Sequence, residues 1–365
     1  MRKLLFNVHL YLALIAGVFV IILGLTGAIM AFEPELDHVL HAKLSYVTPR
    51  AHRLSLAQLG AAVQQAFPGE PIGGYLLSSS PDIAAGVSIK RGVVSVDPYT
   101  GAVLGVRQGG QDFLGWVHQL HLRLTIRDQA DTGKTIVKWA GVAMMILLLS
   151  GIYLWWPVKR VSIASGATGR RFWFDLHNAI GIFSLAFLLV LTFTGIMIGF
   201  EESTVPMFYR MTGSEPTKAP QPPPPPPGAM PITPDQAMEI AAAAIPGTFP
   251  FQIGIPGPKG AYQIRSRFPE DLTPGGRSRV IVDQYTGNVL YAEGSRTAPA
   301  GTRMVIVNRA IHTGDIFGIP SKILMSLACL MAVMQVFSGG IMWWKRTRAT
   351  NKVKANTTGS GRGPG

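Results

Sequence analysis

FDLHNAIGIF, Phe174 to Phe183, places His177 one turn inside an apolar run long enough to cross a bilayer. An ionisable imidazole at that depth is costly and needs a partner or a ligand. A second stretch, FNVHLYLALI from Phe6 to Ile15, puts His9 at the same place after a basic start. Working outward from these two, the chain divides into two copies of one plan. The run with His9 ends LTGAIMAFE and the run with His177 ends FTGIMIGFE, so Thr26-Gly27 matches Thr194-Gly195 and Glu33 matches Glu201. Two further apolar runs end SGIYLWWPVKR and SGGIMWWKRTR. Between each pair of runs lies a long segment carrying VDPYTGAVLG (Val96 to Gly105) or VDQYTGNVL (Val282 to Leu290). Agreement at three separate places, in the same order, reads as an internal duplication.

Hydropathy and charge give the topology. A membrane core of roughly 30 Å takes about 20 helical residues, and four apolar runs reach that length. The organisation expected is a helix over 1–32, an outer segment over 33–134, a helix over 135–157, a loop over 158–171, a helix over 172–200, an outer segment over 201–320, a helix over 321–344 and a tail over 345–365. The first run is too long for a signal-peptide core, and its near copy lies deep inside the chain, so it reads as a retained anchor. Twelve basic residues flank the helices on one side against a single acid, Asp175, whereas the outer segments hold 21 basic and 19 acidic residues. The positive-inside rule therefore puts both termini and the loop over 158–171 in the cytoplasm. The basic balance is a topology signal, and nothing points to nucleic acid. Trp155-Trp156 and Trp343-Trp344 suit the interface with membrane lipid. Cys329 is the only cysteine, which excludes an internal disulfide and a CxxCH attachment site and leaves a packing role.

Each outer segment reads as α+β. Ser55-x-x-Gln58 and Thr233-x-x-Gln236 are capping boxes, the second with Pro234 at the first helical position. Alternating strands follow: GVSIK, GVVSVD and AVLGV in one copy, AYQIRSRF, SRVIVD and NVLYAE in the other. The PYTG and QYTG tetrapeptides are turns between the last two strands. The prolines from Pro222 to Pro227 read as a stiff spacer.

Twin helix–segment–helix units, the DxYTG turn, LH before the second helix and the SGxxxWW ending together resemble the PepSY-associated transmembrane family. The resemblance covers nearly the whole chain apart from the proline spacer and the Gly-rich tail. It implies a membrane α-helical bundle of four helices in two parallel, pseudo-twofold-related repeats, with two periplasmic α+β PepSY-like domains. Family members include inner-membrane siderophore-iron reductases that bind b-type haem between their helices. The resemblance thus implies haem b as cofactor and a ferric siderophore as partner, and the duplication raises the number of haems expected to two.

Parallel repeats put equivalent residues at equal depth, so His9 and His177 are expected to face each other near the cytoplasmic leaflet. Their faces are mostly small: Ala16, Val20 and Gly27 with Ala13 and Gly24 on one helix, Ser184, Leu188 and Gly195 with Gly181 and Thr192 on the other. Such stripes permit close packing or leave room for a flat macrocycle, whose iron imidazole ligates. A hydrogen-bonded histidine pair without cofactor is the alternative. WVHQLHLRL and NRAIHTGDIFG offer a second pair, His121 and His312, as ligands to the iron of a second haem. His118, one turn from His121, is the alternative to it, because His121 stands 13 residues before Lys134 and His312 only 10 before Lys322. His38, His41 and His52 have no counterparts and read as solvated.

The expectation is an oxidoreductase, a ferric-siderophore reductase of the inner membrane that takes electrons from the cytoplasmic side, reduces ferric siderophore in the periplasm and releases Fe(II). Its catalytic residues are not assigned, since the cofactor carries the redox chemistry. Docking is expected around Gly109-Gly110 and Gly314-Asp315. No nucleotide motif or flavin domain is fused, so the electron donor is separate, quinol or a cytoplasmic flavoprotein. The rival readings are a membrane sensor or protease-regulating protein without redox activity, and a siderophore permease, which four helices without broken segments disfavour.

Overall fold

The computed structural model describes residues 1–108, 110 and 112–359, with side chains through residue 348. Gly109 of the expected docking loop and the basic tail residues Lys352, Lys354 and Arg362 lie outside that description. In chain order the elements are α1 (Arg2–Met30), α2 (Glu33–Leu40), α3 (Ala42–Ser45), α4 (Leu56–Ala66), β1 (Gly74–Leu76), β2 (Ala85–Ile89), β3 (Gly92–Val96), β4 (Val103–Arg107), α5 (Phe113–Arg123), α6 (Thr132–Trp155), α7 (Gly169–Gly199), α8 (Glu201–Thr212), α9 (Pro234–Ala244), β5 (Phe249–Gly254), β6 (Ala261–Arg267), β7 (Ser278–Asp283), β8 (Val289–Glu293), α10 (Ala300–Thr313) and α11 (Ile319–Gly359). They fall into two compact units, one of helices and one built around a sheet.

The helical unit contains four helices long and apolar enough to span a membrane: α1, α6, α7 and the part of α11 up to Arg348. α1 and α7 each pack against both α6 and α11, so the four close a ring with α1 opposite α7. Val20, Leu188, Ala328 and Ala332 meet at the buried centre. Small residues bring backbones together, as membrane helices require. At Gly24 an added Cβ would stand 2.9 Å from the Cys329 carbonyl oxygen of α11, so only glycine fits.

The sheet unit departs from the expected pair of α+β domains. Among the described residues, the strands from both outer segments form one antiparallel sheet of eight, in the order β4-β3-β2-β1-β5-β6-β7-β8. β1 joins β5 through the pairs Gly74–Gly254, Tyr75–Ile253 and Leu76–Gln252. Each four-stranded half would otherwise end in a bare edge with unpaired backbone groups, and fusing the edges satisfies both. Glycine is needed at the seam, because a Cβ on Gly74 would lie 2.5 Å from the Ile253 carbonyl oxygen. α4 and α9 cover one face over a core that includes Leu59, Val63, Val87, Val94, Ile264 and Val280. Both capping boxes form. Asp235 in the first turn of α9 also caps α4 of the other half, accepting from Leu56 N at 2.7 Å and Ala57 N at 3.1 Å. The two DxYTG turns are built alike. Asp97 Oδ1 accepts from Tyr99 N and Thr100 N, Asp283 Oδ1 from Tyr285 N and Thr286 N, and Gly101 and Gly287 take φ of +75° and +72°.

Candidate functional site

The histidines singled out in the sequence gather in the helical unit at two levels. His9 of α1 and His177 of α7, on opposite helices of the ring, line one cavity with Ala13, Gly151, Gly181 and Gln335. That cavity and its open mouth hold about 790 Å³ of empty space, and most of the remaining lining is aliphatic. His121 of α5 and His312 of α10 meet the other ends of α1 and α7. His9 and Thr26 stand 17 residues apart on α1, as do His177 and Thr194 on α7, so the levels lie about 25 Å apart along the bundle.

One arrangement recurs at all four histidines. His9 Nδ1 is 2.8 Å from Ser150 Oγ and His177 Nδ1 is 2.9 Å from Ser338 Oγ. His121 Nδ1 is 2.9 Å from Thr26 Oγ1 and His312 Nδ1 is 3.1 Å from Thr194 Oγ1. Each hydroxyl residue is followed by glycine, and each glycine faces the same imidazole. A Cβ there would stand 3.6 Å from Cε1 of His9 at Gly151 and of His177 at Gly339, 3.3 Å from that of His121 at Gly27, and 2.9 Å from that of His312 at Gly195. The glycine makes room for the ring and the hydroxyl holds it.

The hydroxyls favour one tautomer. A hydroxyl has one proton to give. Thr26, Ser150 and Thr194 donate theirs to the carbonyls of Ile22, Ile146 and Val190 at 2.6, 2.7 and 2.7 Å, and Ser338 donates to Gln335 at 3.1 Å. With its proton so used, each is placed to accept from a protonated Nδ1. His312 Nδ1–H is additionally in reach of the Leu191 carbonyl at 3.2 Å. That arrangement leaves Nε2 as the lone-pair nitrogen, the form in which imidazole binds a metal. Burial, then the neighbouring His312 and His118, pushes the His121 imidazole down to about 3, so it is neutral at ordinary pH.

These contacts make His121, of the two candidates on α5, the positional counterpart of His312. His121 occupies the position on α1 that His312 occupies on α7, while His118 lies one turn away. The unequal spacing that raised the question is absorbed after the histidines, by the turn between α5 and α6 and the short 3-10 helix Asp315–Phe317 before α11. Gly314 starts that turn, and Asp315 is tied to Thr313 and Lys322. Gly27 and Gly195 sit beside His121 and His312, so the small stripes serve both levels, and Gly24 serves helix packing.

His41 differs from the solvated residue expected. It is half-buried in the sheet unit, with Nδ1 3.2 Å from Asp37 Oδ1. Arg107 binds both Asp37 oxygens, at 2.8 and 2.6 Å, and Asp112 at 2.8 Å. Asp37, His41 and Asp112 have metal-ligand spacing, but the guanidinium already neutralises the carboxylates. His38 packs against Tyr46, and His52 is exposed.

A ring of four apolar helices with two levels of anchored histidines, in a chain that also carries an antiparallel sheet, defines a multi-pass membrane protein. The chain matches the PepSY-associated TM region over residues 6–346, and it belongs to that family. No curated protein matches it.

Proposed function

We propose that this protein is an inner-membrane oxidoreductase that carries electrons from the cytoplasmic side to the periplasm, where ferric siderophore is reduced and Fe(II) is released. The observation that carries this reading is the fourfold Nδ1–hydroxyl anchor. A histidine serving only as a packing residue has no need to present Nε2 as a lone pair, and four doing so at two matched levels suit axial ligation. The mostly apolar lining of the cavity between His9 and His177, with imidazoles on opposite helices and a glycine beside each ring, supports a flat apolar macrocycle as its occupant.

His9 and His177 would hold one b-type haem and His121 and His312 a second, and bound haem supplies one-electron redox chemistry. The chain's own residues position and insulate. Ser150, Ser338, Thr26 and Thr194 orient the imidazoles and keep their protons on Nδ1, which raises ligand basicity. Aliphatic residues such as Leu148 and Leu188 keep water from the cavity wall. Positive-inside placement puts His9 and His177 at the cytoplasmic end, both termini in the cytoplasm, and His121 and His312 toward the periplasm. The donor on the cytoplasmic side is quinol or a flavoprotein.

The test is the absorption spectrum of the purified full chain before and after dithionite, followed by mixing the reduced protein with ferric siderophore and a ferrous-iron chelator. A b-type Soret and α-band that reoxidise as ferrous chelate forms support the proposal. A colourless protein supports the sensor or protease-regulating reading instead.

A further inference from the structure

The strands β6 and β7 carry arginines for which neither the fold nor the histidine site has a use. Ile264, Val280 and Val282 point into the core beneath α4 and α9. Strand alternation therefore puts Gln263, Arg265, Arg267 and Arg279 on the opposite face. Arg265 and Arg279 are direct cross-strand partners, and like charges in register destabilise a sheet.

No acid forms an ion pair with them among the described residues, although Glu293 stands across from Arg279 on β8. Arg265 donates to Gln252 Oε1 at 3.3 Å and to the Gly275 carbonyl at 2.9 Å, and lies over the Phe251 ring at 5.5 Å. Arg279 donates to Gln263 Oε1 at 2.6 Å. Arg267 donates to the Pro274 carbonyl and to Ser79 Oγ. Arg277, just before β7, has its Nε buried without a hydrogen-bond partner. Burial, then Arg309 and Arg265, pushes its guanidinium below the usual arginine range.

Two carboxylates are nearby, and both are accounted for. Asp271 accepts from Ser295 Oγ and Phe268 N, and Glu293, opposite Arg279 on β8, is engaged with Tyr291. Among the described residues, Arg265, Arg267, Arg277 and Arg279 have no ion pair. Elsewhere in the sheet unit Arg91, Arg107 and Arg296 are each paired with an acid.

We propose that this face of β6 and β7 binds a small polyanion through its carboxylate or phosphate oxygens, with Arg265, Arg277 and Arg279 as the recognising groups. Guanidinium forks suit such oxygens geometrically. The neutral acceptors that now hold the arginines pre-orient them without cancelling their charge. Where the proposed reductase activity holds, on which this identification of the ligand rests, the site selects ferric chelates with a net negative charge. The same oxygen chemistry is carried by anionic lipid headgroups.

The experiment is isothermal titration of the full chain in phosphatidylcholine nanodiscs with gallium(III) citrate, a redox-inert probe, and with inorganic pyrophosphate. Arg265→Gln/Arg279→Gln is compared with wild type, with Arg91→Gln as the control at a paired arginine. Wild type and Arg91→Gln are expected to bind at least one probe, more weakly as salt rises, and the double variant about tenfold more weakly or worse. Thermal unfolding of the double variant alongside wild type separates loss of binding from loss of fold. Repeating the titration in nanodiscs containing phosphatidylglycerol distinguishes the sources. Loss of soluble-anion binding in wild type there, together with tighter vesicle association that the double variant lacks, identifies the headgroup. Equal binding by wild type and the double variant, or no binding of wild type to either probe or to phosphatidylglycerol, overturns the proposal. Gallium citrate reports the site whether or not the protein is coloured, so this result stands apart from the haem reading.

Discussion

The four histidine-facing glycines supply a graded test in which a single chemical change is made at each site. Carbon atoms pack best at about 3.5–4.0 Å. An alanine Cβ would lie 3.6 Å from Cε1 of His9 at Gly151 and of His177 at Gly339, which is ordinary contact. At Gly27 the distance to His121 falls to 3.3 Å, with Cys329 Sγ at 3.4 Å, so the ring must give by a few tenths of an ångström. At Gly195 it is 2.9 Å to Cε1 and 3.5 Å to Nδ1 of His312, short of good packing by roughly 0.6 Å or more. His312 cannot swing aside freely, because Nδ1 is held at Thr194 and near the Leu191 carbonyl. Overpacking of this kind costs about 1–3 kcal/mol, against a helix-propensity gain of about 1 kcal/mol for alanine over glycine. Gly151→Ala and Gly339→Ala should therefore be neutral or slightly stabilising. Gly27→Ala should be mildly destabilising and Gly195→Ala the most so. Ligand placement tolerates only about 0.5 Å, so Gly195→Ala should also lose the haem proposed between His121 and His312. The assay is thermal unfolding of each variant in detergent alongside haem content by pyridine haemochromogen. If Gly195→Ala melts and retains haem as Gly151→Ala does, the histidine–glycine packing is wrong.

Three further outcomes follow from the same contacts. Ser338→Ala removes the acceptor for His177 Nδ1 and should weaken haem retention about 10–100-fold, as loss of an outer-shell partner typically does, with Ser338→Thr restoring it in a haem titration. His121→Ala and His312→Ala should each abolish the same haem and stop ferric-siderophore reduction, while His118→Ala has a milder effect, as judged by spectra and trapped ferrous iron. Asp235→Ala strips the acceptor from two α4 amides and should cost about 1–2 kcal/mol in thermal unfolding, with no change in the haem spectrum.

What could be read from the sequence was local or repeated. Ser55, Gln58, Thr233 and Gln236 announce their caps within four residues, and the DxYTG turns carry their own aspartate acceptors. The alternating strands, such as β3 and β6, stand where the pattern put them. β1 and β5 did not show, because one is three residues long after two glycines and the other contains Pro250. Without them the single sheet was invisible. The helix α8 was hidden by Pro206. The TG and SG dipeptides marked the repeat, yet their work as histidine anchors depends on which helices become neighbours. Ser150 meets His9 across 141 residues and Ser338 meets His177 across 161. His41 misled for the same reason. Its neighbour Asp37 was legible one turn away, but Arg107 comes from 70 residues on.

The haem content of the purified full chain tests the central claim most directly. The account predicts two b-type haems per polypeptide by pyridine haemochromogen, falling to one in His9→Ala/His177→Ala and to none when His121 and His312 are replaced as well. A colourless wild-type protein, or full haem retention in the fourfold variant, would contradict it.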